Sequence, residues 1–184
     1  MRRRTLIAAT IGGAMLAEQA HAAVPDPENT LYMDLKSGRV VIVLRPDLAP
    51  KAVAQVKKLV RAHFYDGTPF WRVIPGFMAQ GGDPTGTGTG GSNLPDLPAE
   101  FSSSAKFLRG TVGMARTQDP DSANSQFFIC FAPAPFLDGK YTIIGEVVQG
   151  MQFVDQIKKG TGPNGAVEDP DRIVRVVVAA DAKS

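Results

Sequence analysis

Two short β-rich runs, Leu31 to Leu35 and Arg39 to Leu44, flank Lys36-Ser37-Gly38 and predict a β-hairpin with glycine in its turn. From Pro50 to His63 the period changes. Val53, Val56, Val60 and His63 recur at three- and four-residue spacing, Lys51, Lys57 and Lys58 fall elsewhere, and Pro50 suits a first turn, which together predict an amphipathic helix. Phe70 to Ile74, Phe77 to Gln80, Thr111 to Ala115, Gln126 to Phe131, Tyr141 to Val148 and Arg172 to Ala180 read as further strands. A second short helix is expected from Gly150 to Lys158 on Met151, Val154 and Ile157. Many strands with few helices and no internal repeat favour a closed barrel or a sandwich, between which periodicity does not choose.

The first residues depart from this pattern. Arg2, Arg3 and Arg4 precede an apolar run from Leu6 to Ala17, and Ala20-His21-Ala22 supplies a small-x-small cleavage pattern, so residues 1–22 read as a signal peptide and 23–184 as the mature domain, starting at Ala23. The run is shorter than the ~20 residues a membrane anchor needs. Paired arginines before Thr5-Leu6-Ile7 fit either the general secretory or the twin-arginine route. A periplasmic or secreted protein, with no stable membrane association after cleavage, is the expectation. Loss of Arg2 to Arg4 and Glu18 takes the formal net charge from +2 to 0. A neutral domain without a basic block lacks the footprint of a nucleic-acid binder.

Cys130 is the single cysteine, so no intrachain disulfide forms, and its neighbours Phe128, Ile129 and Phe131 predict a buried, structural thiol. His63, at the end of the helical stripe, reads as a packing or helix-terminal histidine rather than a catalytic one. Residues 81–91 contain a G-x-G-x-x-G spacing at Gly86, Gly88 and Gly91, but Ser92 to Pro98 cannot start the helix that a dinucleotide site requires, which leaves a flexible surface loop.

Phe70-Trp71-Arg72-Val73-Ile74-Pro75-Gly76-Phe77-Met78-Ala79-Gln80 carries more information. Pro75-Gly76 predicts a type II turn between two strands, and period-2 alternation puts Phe70, Arg72 and Ile74 on one face. A guanidinium among apolar neighbours must snorkel, pair, or point into a solvent-filled groove. Further on, adjacent Phe127 and Phe128 must point to opposite faces of their strand, so one can be core while the other lines a groove.

In order and at characteristic spacing, Tyr65-Asp66-Gly67-Thr68, Arg72 to Asp83, Asn124-Ser125-Gln126-Phe127-Phe128-Ile129 and Leu137-Asp138-Gly139-Lys140 with Gly145 resemble the cyclophilin family, and the match spans the whole mature chain. The resemblance implies a mainly β fold, a closed eight-stranded antiparallel β-barrel capped by two α-helices. It implies a peptidyl-prolyl cis-trans isomerase that needs neither metal nor cofactor and takes proline-containing unfolded or extended polypeptides as partners; a monomer is the expectation, although the sequence does not fix the oligomeric state. By the same resemblance Arg72 is the catalytic residue, and Phe77, Met78, Phe128 and Leu137 form the pocket for the proline ring. Gln80 bonds the peptide, Ala115, Arg116 and Gln126 line the groove, and Phe136 and Tyr141 stand at its edge. Many eukaryotic members carry Trp, His and Asn where this chain has Phe136, Tyr141 and Arg116, and Phe136 lacks the indole N–H donor. The segment from Met114 to Gln126 is slightly longer than in the best-known members.

Two rival readings remain. A non-catalytic proline-peptide-binding or chaperone-like module would keep the groove without turnover, against which stand Arg72, Phe77, Met78, Gln80 and Phe128. A serine hydrolase using His63 with Ser102, Ser103 or Ser125 lacks a nucleophile-elbow motif.

Overall fold

The computed structural model describes residues 26–182. The expected signal peptide over 1–22 and the start at Ala23 lie outside the described residues. The hairpin forms as its pattern dictates: β1 (Thr30–Leu35) pairs antiparallel with β2 (Gly38–Leu44), and Leu35 faces Gly38 across a two-residue turn. Pro50 starts α1 (Pro50–Arg61). Its N-cap, Ala49, has no side-chain acceptor, and the carboxylate of Glu100 takes that place, accepting the N–H groups of Lys51 at 3.1 Å and Ala52 at 2.9 Å. Ala52, Val53, Val56, Leu59 and Val60 form the buried face of the helix.

The strands β3 (Arg72–Ile74), β4 (Met78–Gly81), β5 (Thr111–Met114), β6 (Phe127–Cys130), β7 (Ile143–Gln149) and β8 (Ile173–Val178) complete one antiparallel sheet in the order β3-β4-β6-β5-β7-β2-β1-β8. The expectation of a mainly β chain with eight antiparallel strands and two helices holds, and the closed barrel is corrected to an open sheet. Its ends do not pair as a ladder because the outer edge of β3 is already taken by residues 160–167: Val73 donates to Gly165 at 2.7 Å, Gly160 to Val73 at 2.9 Å, and Val167 to Trp71 at 3.0 Å. Gly67, Thr68 and Phe70 reach across by main-chain bonds to Ile173 and Asp171, and Asp66 Oδ1 accepts Val176 N at 2.9 Å.

The same departure corrects the alternation expected over Phe70 to Ile74. Residues 69–71 precede the ladder, so Phe70 lies in the main core with Val73, whereas Ile74 packs on a second cluster. That second cluster holds Met78, Phe107, Phe128, Cys130, Ala134, Leu137 and Ile143. Phe127 and Ile129 fall in the main core and Phe128 and Cys130 in the second, the opposite-face arrangement that a strand demands.

The second helix is shorter than expected. α2 spans Met151–Val154, after which Gln156 and Ile157 close three-residue turns that bury Ile157. His63 is also displaced from the stripe. It sits one residue beyond the C-cap of α1 with φ 56°, while Phe64 N donates to Leu59 O and His63 N to Val60 O, the paired bonds of a Schellman ending. Its ring is exposed and Nδ1 lies 3.0 Å from Asp66 Oδ2. Among the described residues no helix is long and apolar enough to cross a membrane.

Candidate functional site

Strand register builds the site. Arg72 faces Gln80 across β3 and β4, Gln80 faces Phe128 across β4 and β6, and Phe128 faces Gly113 across β6 and β5. Directly opposed residues project to the same side of a sheet, so these four form one row on the face away from the main core. The turn that sets this register is the expected one, with Phe77 N donating to Ile74 O at 3.1 Å around Gly76 at φ 72°.

Along the row runs a connected set of hydrogen bonds. Arg72 Nε donates to the main-chain oxygen of Asn164 at 2.9 Å and Nη1 to Gln80 Oε1 at 3.2 Å. Gln80 Nε2 donates to Gln126 Oε1 at 3.0 Å, Trp71 Nε1 donates to the same oxygen at 3.2 Å, and Gln126 Nε2 donates to the oxygens of Gly88 and Gly90. The polar side chains are thereby fixed in direction. Two of the five N–H donors of Arg72 are held this way, no carboxylate of the described residues lies within ion-pair distance, and the remaining donors are left for a ligand.

Beside this polar wall lies an apolar one. Phe128 is buried, stacks on Phe107 with centroids 5.7 Å apart, and meets the ring of Tyr141 edge-on at 5.9 Å. Met78 and Leu137 are buried next to it, and Phe77 contacts the exposed ring of Phe136 at 5.2 Å. The two walls enclose a groove of about 1090 Å³. All of the residues expected at the site line it: Arg72, Phe77, Met78 and Gln80, then Ala115, Arg116, Gln126 and Phe128, then Phe136, Leu137 and Tyr141.

The sequence reading missed part of the lining. Trp71, the only tryptophan, supports Gln126 from behind, and its position next to Arg72 was the available signal. Asn124 lines the groove and spends its amide on Leu94 O and Asp96 Oδ1, each at 2.9 Å. Residues 88–91 also line it, and the flexible loop expected over 81–91 is corrected: Asp83, fully buried, organises it. Its Oδ1 accepts Thr85 N and Oγ1 at 2.8 and 2.7 Å, and its Oδ2 accepts Gly88 N and Gly90 N at 2.6 and 3.1 Å. Burial pushes this carboxyl up, and the Thr85 hydroxyl with the three backbone N–H groups outweighs burial, holding it below the usual carboxylate range.

Nucleophilic chemistry finds no support in these groups. Cys130 is fully buried and desolvation raises its thiol to about 12, consistent with the structural thiol expected of it. Ser125 is buried, with its hydroxyl donated to Gly82 O at 2.8 Å. Among the described residues no three His, Cys, Asp or Glu side chains converge as metal ligands would.

Known proteins agree with this geometry. The family model "Cyclophilin type peptidyl-prolyl cis-trans isomerase/CLD" matches residues 30–178. A Brucella suis protein named "Probable peptidyl-prolyl cis-trans isomerase" is 54% identical over 98% of each chain, and the human "Peptidyl-prolyl cis-trans isomerase-like 1" is 39% identical over 74% of this chain and 85% of its own. Among solved structures, a cyclophilin from Hirschia baltica superposes with TM-score 0.76 at 29% identity, covering 86% of this chain and 76% of that one. A Cryptosporidium parvum cyclophilin-type isomerase, crystallised in the presence of the dipeptide Ala-Pro, gives 0.74 at 29% identity over 81% and 98%.

Proposed function

The chain belongs to the cyclophilin-type peptidyl-prolyl cis-trans isomerase family, and from that premise we propose that Arg72 catalyses rotation about X-Pro bonds held in the groove it lines. The observation that carries this reading is the row Arg72, Gln80, Phe128: a fixed guanidinium directly beside an apolar, ring-sized pocket. Amide resonance sets a barrier of about 18–20 kcal/mol to rotation. Twisting the bond localises the lone pair on the prolyl nitrogen, where an N–H donor stabilises it; the planar amide offers no such acceptor. A donor aimed there binds the transition state better than the ground state, which is catalysis without a covalent step.

The other side chains hold the substrate in that geometry. Phe77, Met78, Phe128 and Leu137 take the proline ring, and Gln80 fixes Arg72 while itself fixed by Gln126. Ala115, Arg116, Phe136 and Tyr141 border the space into which the flanking peptide extends. The Ala-Pro dipeptide supplied to the Cryptosporidium relative supports proline-containing chains as the ligand class.

The test is the cis-to-trans rate of a short Ala-Pro peptide with wild type and Arg72→Ala. Acceleration by wild type and a loss on the order of a hundredfold or more in a folded mutant is the expected result. Binding of a proline peptide with no acceleration by either protein would replace catalysis with the binding-module reading.

The Arg-rich, apolar start of the chain supports export and removal of residues 1–22, so that the enzyme acts on unfolded chains outside the cytoplasm. Mass spectrometry of the protein from its native cell should find the shortened chain in the periplasm or medium. A dominant cytoplasmic species retaining Met1 would overturn export and leave the isomerase reading intact.

A further inference from the structure

The groove is electrically lopsided. Three cations line it, Arg72, Arg116 and Lys140, against one carboxylate, Asp96. Among the described residues none of these cations has a carboxylate within ion-pair distance, although seven other basic side chains do. Asp96 lies outside ion-pair distance of all three, and its Oδ1 accepts the amide of Asn124.

Arg116 is held rigidly. Its guanidinium carbon lies 4.4 Å from the centroid of Tyr141, over the ring that meets Phe128 edge-on. Nε and Nη2 donate to Lys140 O at 3.3 and 2.9 Å, and Nη1 donates to Thr117 O at 2.8 Å and Gln118 O at 3.4 Å. Those acceptors are neutral carbonyls, so the positive charge is fixed in place but not cancelled, and one N–H of Nη2 stays uncommitted. The cation therefore stands two ring contacts from the floor of the proline pocket, with most of its donors already engaged before a ligand arrives.

Resting on the isomerase reading above, we infer that Arg116 is a specificity-determining residue, and that the groove selects proline segments carrying an aspartate or glutamate within two residues of the proline. A carboxylate there meets a fixed guanidinium with a free donor and the ammonium of Lys140, whereas a lysine meets uncompensated like charge. At a solvated rim such a pairing changes selectivity roughly threefold to fivefold, and salt screens it.

The experiment compares kcat/KM for peptide pairs identical except for Glu against Gln on either side of Ala-Pro, at low and high salt, in wild type, Arg116→Gln and Lys140→Gln. In wild type the Glu peptide at one of the two flanks is expected to exceed its Gln partner about threefold or more at low salt, the ratio shrinking at high salt. Arg116→Gln should bring the ratio close to one and Lys140→Gln should lower it partly. Because each ratio is taken within one protein, a general loss of activity in a variant does not affect it. A wild-type ratio near one at both flanks, or one untouched by Arg116→Gln, would overturn the inference. Failure of wild type to turn over either peptide would instead overturn the isomerase reading.

Discussion

The Nε–H of Arg72 donates to the main-chain oxygen of Asn164 at 2.9 Å, which ties the guanidinium to a segment ninety-two residues away in the chain. That segment, residues 160–167, is itself docked on the outer edge of β3 by the bonds of Val73 and Trp71. It closes the edge of the sheet and aims the arginine at once. Gly165 makes the docking possible: φ is 66°, and a Cβ would run into Ile74 Cγ1 and lie 3.0 Å from Val73 O. Gly165→Ala should therefore lift the segment and release Nε. The expected outcome is a fall in kcat on the order of tenfold or more with a smaller change in KM. The Arg72 Nε–H resonance in NMR should shift with it, and a wild-type rate with a shifted resonance would show that this anchor is not needed.

Gly113 fixes the floor of the pocket by what it lacks. A Cβ there would stand 2.6 Å from Phe128 Cζ and 2.8 Å from Phe107 Cε1, between two stacked rings that are both buried. Gly113→Ala must tilt Phe128 toward the groove. Weaker proline-peptide binding is expected, together with a stability loss of about 1–3 kcal/mol from overpacking. Peptide titration and denaturant unfolding of the same sample check both parts.

Asp83 holds the loop that borders Gln126. Its folded-state pKa lies below the ordinary carboxylate value, so its contribution is complete above that ordinary value and is lost as pH falls through the folded one. Asp83→Ala leaves the N–H groups of Thr85, Gly88 and Gly90 without their acceptor, a cost of about 2–4 kcal/mol. Urea unfolding should show this loss at neutral pH and a smaller one as the pH is taken below the ordinary carboxylate value. Limited proteolysis should cut the variant within residues 84–91 sooner than wild type.

Much of the site was legible in its motifs rather than in periodicity alone. Alternation and the Pro75-Gly76 turn left Arg72 with a groove as one of three options and put Phe127 and Phe128 on opposite faces, and it was the resemblance of the motifs around them that assigned Arg72 and Phe128 to the groove. What escaped depends on partners distant in the chain. Phe70 joins the core because Asp171 captures its N–H, His63 leaves the helical stripe because α1 ends in a Schellman turn, and the sheet stays open because residues 160–167 occupy the edge of β3. Glycine-rich spacing over 81–91 suggested flexibility, yet one buried carboxylate with four donors gives the loop a fixed shape. Apolar patterning records which face is buried, and it says nothing of which distant backbone group satisfies an exposed edge.

Glu28 joins both ends of the described chain to α1. Its carboxylate accepts from Arg61 Nη2 at 2.8 Å and Lys57 Nζ at 2.9 Å, while Arg61 Nε also donates to Asp181 at 2.8 Å. The hydrogen bonds of Arg61, then of Lys57, bring its pKa from the ordinary 4.5 down to about 2. A carboxylate whose pKa is lower in the folded state stabilises that state above its unfolded value and ceases to as it protonates. The difference in melting temperature between wild type and Glu28→Gln should therefore be constant above about pH 4.5 and shrink toward zero near pH 2. Because these groups are exposed, high salt should reduce the difference across the whole range. Thermal unfolding of both proteins from pH 2 to 6, at low and high ionic strength, measures it. A difference as large at pH 2 as at pH 6 would assign the effect to shape rather than charge, and would remove the ion pairs from any account of how the two ends are held.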